Sequence, residues 1–208
     1  MSVLSRLAVI VAISIAACSQ GEPAASAPTV QSGPDSGRRE VALFAGGCFW
    51  STEANFEHMP GVVSAVSGFA GGTVANPSYD QVVRGGTGHL EAVQVTYDPA
   101  RITYRQLVDR FWRTIDPTDP DGQFCDQGAS YATAVFATAA QRPIAEASRA
   151  AAVAVIGVRR FVTPVRNTAR FWPAESYHQD FARLNPVRYA GYSRFCGRDA
   201  RLRAVWGG

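Results

Sequence analysis

A chain of 208 residues has room for one domain of ordinary size with a tail to spare, and 47% hydrophobic against 18% charged residues provides for a packed core. The net charge of +3 is too small to argue for nucleic acid, and no basic run or stripe interleaved with aromatics exists, so nucleic acid is not expected as a partner. All 20 basic residues are arginine, which excludes a lysine nucleophile or Schiff base; the four cysteines and three histidines show no zinc-type spacing.

The chain opens on an export signal. Arg6 supplies a positive start, and the apolar run from Leu7 to Ala17 is too short to remain as a membrane span. It ends in Ile15-Ala16-Ala17-Cys18, which is similar to a bacterial lipobox; Cys18 would then be lipidated and become the new N-terminus. The alternative is an ordinary cleaved secretory signal. On either reading the mature protein is exported, and on the first it is a lipoprotein anchored in a membrane and facing the periplasm. Residues 18–40, rich in Ser, Ala, Pro and Gly, read as a flexible tether, and the domain occupies 41–208.

Val41 to Ala45 reads as a buried strand. Gly46-Gly47 break it, and a helix can run on through Glu57. Cys48 then falls in the first turn of that helix, where unpaired N–H groups and the helix dipole favour a thiolate. The glycines leave room for an approaching substrate, and Phe49 and Trp50 place aromatic faces beside the sulfur. A buried structural cysteine is the competing reading.

Val62 to Phe69 is strand-like. A polar loop follows, with Asn76-Pro77-Ser78-Tyr79 and Gly85-Gly86-Thr87-Gly88. In the next strand, His89 to Tyr97, alternation puts Glu91, Val93, Val95 and Tyr97 on one face. A carboxyl in register with valines is partly buried, which raises its pKa and lets it hold a proton near neutrality; an exposed strand end is the alternative. Thr103 caps a helix whose stripe is Leu107, Val108, Phe111, Trp112 and Ile115.

The loop from Asp116 to Ser130, dense in Asp, Pro and Gly, has the length of a functional loop and carries Cys125-Asp126. Tyr131 to Phe136 is a strand, and Thr138 and Gln141 have capping-box spacing for an alanine-rich helix, with Pro143 awkward near its start. Phe161 to Val165 reads as an edge strand because of Pro164. Phe171 to Phe181 opens a last helix that Asn185-Pro186 stops, and Val187 to Gly208 is arginine-rich, has little periodicity and carries Cys196. Short strands alternating with helices indicate a two-layer α/β sheet domain.

Several motifs then agree in kind and order: Gly46-Gly47-Cys48-Phe49-Trp50, Asn76-Pro77-Ser78-Tyr79, Gly88-His89-Leu90-Glu91-Ala92-Val93, Tyr97-Asp98-Pro99, Phe111-Trp112, Asp116-Pro117-Thr118-Asp119, Asp126-Gln127-Gly128 before Tyr131, and Tyr177-His178-Gln179. In this the chain resembles peptide methionine sulfoxide reductase A from Val41 to Gly208. The resemblance implies a ferredoxin-like α/β (α+β) two-layer sandwich with a long coil-rich C-terminal segment. It implies thiol-dependent reduction of the S epimer of methionine sulfoxide, peptide-bound and free, without a bound cofactor or metal. Cys48 matches the nucleophile, Phe49 and Trp50 the pocket for the substrate methyl, and Glu91 the acid near the sulfoxide oxygen. Tyr79 and Tyr131 match donors to that oxygen, Asp126 the residue that orients the substrate amide, and His178 a position near the site whose role stays open. The family's usual Gln-Tyr-Arg-Ser run is here Ser130-Tyr131-Ala132-Thr133, so its arginine is lost, and a single Cys196 stands where some members carry a cysteine pair.

A thiol beside a protonated acid suits sulfoxide chemistry, because the oxygen leaves only once protonated and the two tyrosines stabilise charge gathering on it. Cys48 would become a sulfenic acid, a second thiol would condense with it, and an external dithiol such as a thioredoxin-like protein would restore the enzyme. Cys196 is the expected resolving thiol. Cys125 reads as an apolar lining residue in preference to a resolving one. The substrates expected are oxidised exported proteins, and the protein itself is expected to be a monomer. The same residues would serve a thiol peroxidase, which would favour arginine over Glu91 near the sulfur, a cysteine hydrolase using His89 or His178, or an inactive module that binds oxidised methionine.

Overall fold

The computed structural model describes residues 37–207. The stretch read as an export signal, Cys18 and the expected tether up to residue 36 lie outside the described residues.

Nine short runs of extended chain and helix build the first half. β1 (Glu40–Gly46) leads into α1 (Phe49–Glu57), then β2 (Val62–Ala70), α2 (Tyr79–Arg84), β3 (Leu90–Tyr97) and α3 (Tyr104–Trp112), and the two-residue strands β4 (Gly122–Gln123) and β5 (Asp126–Gln127) form a small hairpin before β6 (Thr133–Ala137). The second half holds α4 (Arg142–Ile156), β7 (Val165–Asn167), β8 (Phe171–Pro173), α5 (Phe181–Leu184), α6 (Pro186–Phe195) and α7 (Arg198–Trp206). The main sheet runs β7-β6-β1-β3-β2-β8, and its central order β6-β1-β3-β2, antiparallel throughout, is that of a ferredoxin-like sandwich. β7 adds in parallel to β6, and β8 adds antiparallel to β2.

Alternation along the strands decides what faces the helices. Ala42, Phe44, Val93, Val95 and Val135 point into a core shared with Phe56 of α1, with Leu107, Val108, Phe111 and Trp112 of α3, and with Ala145 of α4. Leu43, Ala45, Ala92, Ala134 and Phe136 point the other way into a smaller cluster under Leu90 and Phe171. Glu91 shares the face of Val93, Val95 and Tyr97 as the alternation requires, and at 1% exposure it is a core residue with a carboxyl on it. Capping boxes start α2 at Ser78 and Gln81, and α3 at Thr103 and Gln106. Pro143 is accommodated because it falls in the first turn of α4, where its missing N–H is not needed.

Several stretches differ from the sequence reading. Of Phe161 to Val165 only Val165 is strand, continuing to Asn167 as edge strand β7 just after Pro164, and the polar loop after Phe69 holds the short helix α2. Phe171 to Phe181 is not one helix: Phe171–Pro173 pairs with the open edge of β2, a three-residue 3-10 turn spans Ser176–His178, and only four residues of α5 follow. An edge strand needing a partner outcompeted the helical spacing, and Pro173 ends the added strand. Tyr131 closes a 3-10 turn (Ala129–Tyr131) and does not enter β6, which starts at Thr133. The chain from Gly157 to Asn185 is the coil-rich segment, but Val187 onward is mostly helix, broken at Gly197 in a left-handed conformation (φ 60°). α6 buries none of its residues, so it leaves no apolar stripe in the sequence to detect.

Candidate active site

β1 ends on two glycines that fix where Cys48 sits. Gly47 adopts φ +79°, which favours glycine, and a Cβ there would lie 2.8 Å from Gln123 Cγ. Gln123 in turn is tied down by the Asp116 N–H it accepts at 2.9 Å and the Asp116 carbonyl it donates to at 2.7 Å. The loop from Asp116 thus packs directly on the glycine turn. Cys48 is the N-cap of α1, its carbonyl receiving the N–H groups of Ser51 and Thr52, both at 3.2 Å.

The expected thiolate does not follow. Burial, with Cys48 only 7% exposed, and then the neighbouring Glu91 carboxyl push its pKa up to about 12. These outweigh the Tyr192 hydroxyl and the Ser51 N–H, which act the other way, so in this arrangement the sulfur is a neutral thiol. Glu91 Oε2 accepts the Phe49 N–H at 2.9 Å, which docks the carboxyl on the first turn of α1 beside the cysteine. Burial raises its pKa to about 8 despite that bond, so the carboxyl is protonated at neutral pH.

The tyrosines come from two other elements. Tyr79 opens α2, its N–H held by Glu175 Oε1 at 3.0 Å, and its hydroxyl hydrogen-bonds that of Tyr131. Burial and then the Glu91 carboxyl raise the pKa of both phenols, keeping them as donors. Asp126 on β5 faces the same space; burial raises its pKa, and the Tyr192 hydroxyl donates to its Oδ2. Cys48, Glu91, Tyr79, Tyr131 and Asp126 are therefore brought together by the fold.

An aromatic wall closes the other side. Phe49 is fully buried, its ring centre 5.0 Å from His178 and 6.2 Å from Tyr79. Trp50 stacks on Phe181 at 3.7 Å with an 8° angle between planes, and its indole N–H donates to His178 Nδ1 at 3.1 Å. That bond requires a free lone pair on Nδ1, and burial lowers the His178 pKa in the same sense, so the ring is neutral. His178 thereby orients Trp50, and its ring centre lies 4.4 Å from that of Tyr79 with the planes tilted by 45°. Next to it, Gln179 accepts the Ser67 N–H at 3.0 Å and donates to the Ser67 carbonyl at 2.9 Å, completing the edge of β2. His89 lies elsewhere, bonded by the Gly72 N–H and the Val74 carbonyl, and has no part in the site.

The cysteines pair differently from the expected working couple. Cys125 is bonded to Cys196, with Cα atoms 5.0 Å apart, and Cys48 is free. Cys125 is therefore no simple apolar lining residue: the β4–β5 turn presents it to the tail. Sequence reasoning also missed Tyr192, Phe181, Glu175 and Arg198. Tyr192 hydrogen-bonds both Asp126 and Cys48, and Arg198 is a buried guanidinium that donates to the Thr114 carbonyl at 2.6 Å. The one available signal was the helical spacing of Tyr192 and Cys196. Among the described residues no group of three or more His, Cys, Asp or Glu side chains could hold a metal ion.

Such a set, a thiol at a helix N-terminus, a protonated carboxyl docked on that helix from β3 and two phenols facing them, can deliver a proton to a polar oxygen while sulfur attacks. Comparison with known proteins agrees. The family described as peptide methionine sulfoxide reductase matches residues 40–208. The chain is 46% identical over 205 residues to peptide methionine sulfoxide reductase MsrA 2 of Caulobacter vibrioides, spanning 99% of this chain and 100% of that protein. It is 46% identical over 172 residues to peptide methionine sulfoxide reductase MsrA of Halalkalibacterium halodurans, spanning 82% and 98%. Among solved structures, reduced Mxr1 of Saccharomyces cerevisiae aligns with a TM-score of 0.67 at 31% identity, covering 73% of this chain and 88% of that one. Methionine sulfoxide reductase A of Corynebacterium diphtheriae aligns at 0.63 and 32% identity, covering 74% and 77%. The chain belongs to the peptide methionine sulfoxide reductase A family, oxidoreductases that return peptide methionine (S)-S-oxide to methionine.

Proposed function

We propose that Cys48 is the nucleophile, Glu91 the acid, and Cys196 followed by Cys125 the thiols that clear the product of the reaction. The observation that carries this reading is the buried Glu91 carboxyl, protonated at neutral pH and docked on the Phe49 N–H beside Cys48. Glu91 gives a proton to the sulfoxide oxygen, with Tyr79 and Tyr131 donating to the same oxygen as charge gathers there. The oxygen passes to the Cys48 sulfur, which loses two electrons, and methionine sulfur gains them; the thiol proton replaces the one Glu91 gave. The products are methionine and Cys48 sulfenic acid. The Cys196 thiol condenses with the sulfenic acid, forming the Cys48–Cys196 disulfide and releasing water. The Cys125 thiol then attacks Cys196, and Cys48 leaves as a thiol. The pairing of Cys125 with Cys196 and the free Cys48 support this last step. A dithiol protein of the thioredoxin type reduces the final disulfide, taking the oxidised state onto itself. Phe49 and Trp50 hold the substrate methyl, and Asp126 orients the substrate amide.

The substrates follow from the N-terminus: an exported lipoprotein anchored through Cys18 would repair oxidised periplasmic proteins. Membrane fractionation of a Cys18→Ser variant tests the anchor; unchanged fractionation removes it. The chemistry is tested by single-turnover reduction of both epimers of a methionine sulfoxide peptide, followed by peptide mapping. We expect the S epimer alone to be consumed, with Cys125–Cys196 as the disulfide found. Cys48→Ser should leave the substrate untouched, because an alcohol oxygen is far less nucleophilic toward sulfur than a thiol and cannot form the sulfenic acid. Cys125→Ser should instead accumulate Cys48–Cys196. Consumption of both epimers, or turnover by the Cys48 variant, would overturn the assignment.

A further inference from the structure

The tail meets the site on three successive residues. The Arg198 guanidinium lies 4.3 Å from the centre of the Phe124 ring, Cys196 is bonded to Cys125, and Tyr192 donates to Asp126, so the two segments run past each other in opposite order. Tyr192 and Cys196 are one helical turn apart on α6, the Cys196 N–H donating to the Tyr192 carbonyl at 3.0 Å, and they present the same face. With Cys196 tied to Cys125, that face sets Tyr192 on the nucleophile. Its hydroxyl hydrogen-bonds Cys48 as well as Asp126, and its ring stands edge-on to Trp50 at 6.2 Å.

A tyrosine hydroxyl has one proton to give. The Asp126 carboxylate accepts it, which pins the hydroxyl in place beside Cys48. The sulfur is thus covered by the tyrosine for as long as the Asp126 bond and the Cys125–Cys196 disulfide hold. For Cys196 to bond Cys48 the two Cα atoms must approach within about 7 Å. That asks α6 to advance by roughly one turn, about 5.4 Å, which carries Tyr192 off the thiol. Tyr192 and Cys196 therefore use the same place in turn.

We propose that Tyr192 is an internal occupant of the sulfoxide site, seated on Cys48 and Asp126 while Cys196 is bonded to Cys125, and released when that disulfide is reduced. This rests on the reading of Cys125 and Cys196 as the recycling pair. Its consequence is an interlock. A molecule whose resolving thiol is spent does not take a second sulfoxide, so Cys48 is not stranded as a sulfenic acid with no thiol to condense with it. α6 is suited to moving, because it buries none of its residues.

The test is the rate at which iodoacetamide labels Cys48 at neutral pH, read by peptide mass mapping, with the Cys125–Cys196 disulfide intact and after its reduction. Reduction should speed labelling about tenfold or more, since a site open in a tenth of molecules reacts at about a tenth of the full rate. Cys196→Ser should label at the fast rate without reduction. With the disulfide intact, Tyr192→Phe should label faster than the unchanged protein, and Tyr192→Ala at the fast rate. Equal rates before and after reduction overturn the proposal, and so does slow labelling of both Tyr192 variants with the disulfide in place. No sulfoxide is turned over in this measurement, so its failure is distinct from failure of the reductase reading.

Discussion

Cys48 and the tail that reaches it are held by different forces. Cys48 stands where β1 meets α1, at the edge of a core made of Phe44, Phe56, Phe111 and their neighbours, with rings 4.8 and 4.9 Å apart. Apart from Val205 and Trp206, which pack on that core, the tail is held by single specific contacts: the Cys125–Cys196 disulfide, Arg201 on Asp116 at 2.6 Å, Arg198 on the Thr114 carbonyl, and Trp206 on the Ile115 carbonyl at 3.0 Å. Apolar burial is non-directional and tolerates no large displacement without exposing area, whereas a few polar bonds and one exchangeable covalent bond can be broken and remade. On the roles proposed above, the nucleophile needs the first kind of support because its distance to Glu91 would set the chemistry, and the resolving thiol needs the second, since it would leave Cys125 and return.

The largest effects should come from the rigid side. Glu91→Gln should lower the single-turnover rate roughly 10²–10⁴-fold while substrate still binds, because an amide keeps the shape and loses the acid. The unchanged enzyme should also lose rate as pH rises through about 8, where the Glu91 proton is lost, and Glu91→Gln should lack that limb. The Cys48 thiol titrates only near 12 in this arrangement and supplies no compensating rise. Rates within twofold of the unchanged enzyme, or a rate still climbing at pH 9, would break the assignment.

The same carboxyl affects stability. Glu53 and Glu91 both hold their protons above the ordinary value of 4.5, to about 7 and about 8, because both are buried. The folded chain then binds protons that the unfolded chain has released. Their contribution is fully present below about 4.5 and is lost as pH rises through 7 to 8, so the urea midpoint should fall over that window. Glu91→Gln should flatten the fall. A midpoint that rises with pH there would contradict the burial of these two groups.

The rigid side was also the side that could be read from the sequence. Alternation placed Glu91 with Val93 and Val95, and the glycine pair located Cys48, because strand period and turn chemistry are local. The state of Cys48 could not be read in the same way. A helix N-terminus lowers a thiol's pKa, but the opposing burial comes from side chains distant in the chain. The tail was not readable for a different reason. Tyr192, Arg198 and Trp206 work through single bonds to Asp126, Thr114 and Ile115, and single bonds leave no period.

Core substitution should separate the two regions on stability. Phe111 is fully buried between Phe44 and Phe56, and Phe111→Ala should cost about 3–5 kcal/mol, lowering the midpoint of the whole domain. A cost under 1 kcal/mol would mean that the ring stack is not the centre of the core.

The smallest effect tests the tail alone. The Trp206 indole N–H donates to the Ile115 carbonyl at 3.0 Å, and the Arg113 guanidinium lies 4.4 Å from its ring. Trp206→Phe keeps an aromatic face for the arginine and removes the donor, which should cost about 1 kcal/mol. If the tail docks as a separable unit, that cost appears as local opening and not as global unfolding. Hydrogen exchange should therefore quicken in α7 and leave β1 and β3 unchanged, while the denaturation midpoint hardly moves. Glu91 stays docked on Phe49 in that variant, so single-turnover reduction should run at its usual rate and only recycling by a dithiol protein should slow. Exchange that quickens equally in β1 would show that core and tail open as one cooperative unit, and the distinction between a fixed nucleophile and a movable resolving thiol would then fail.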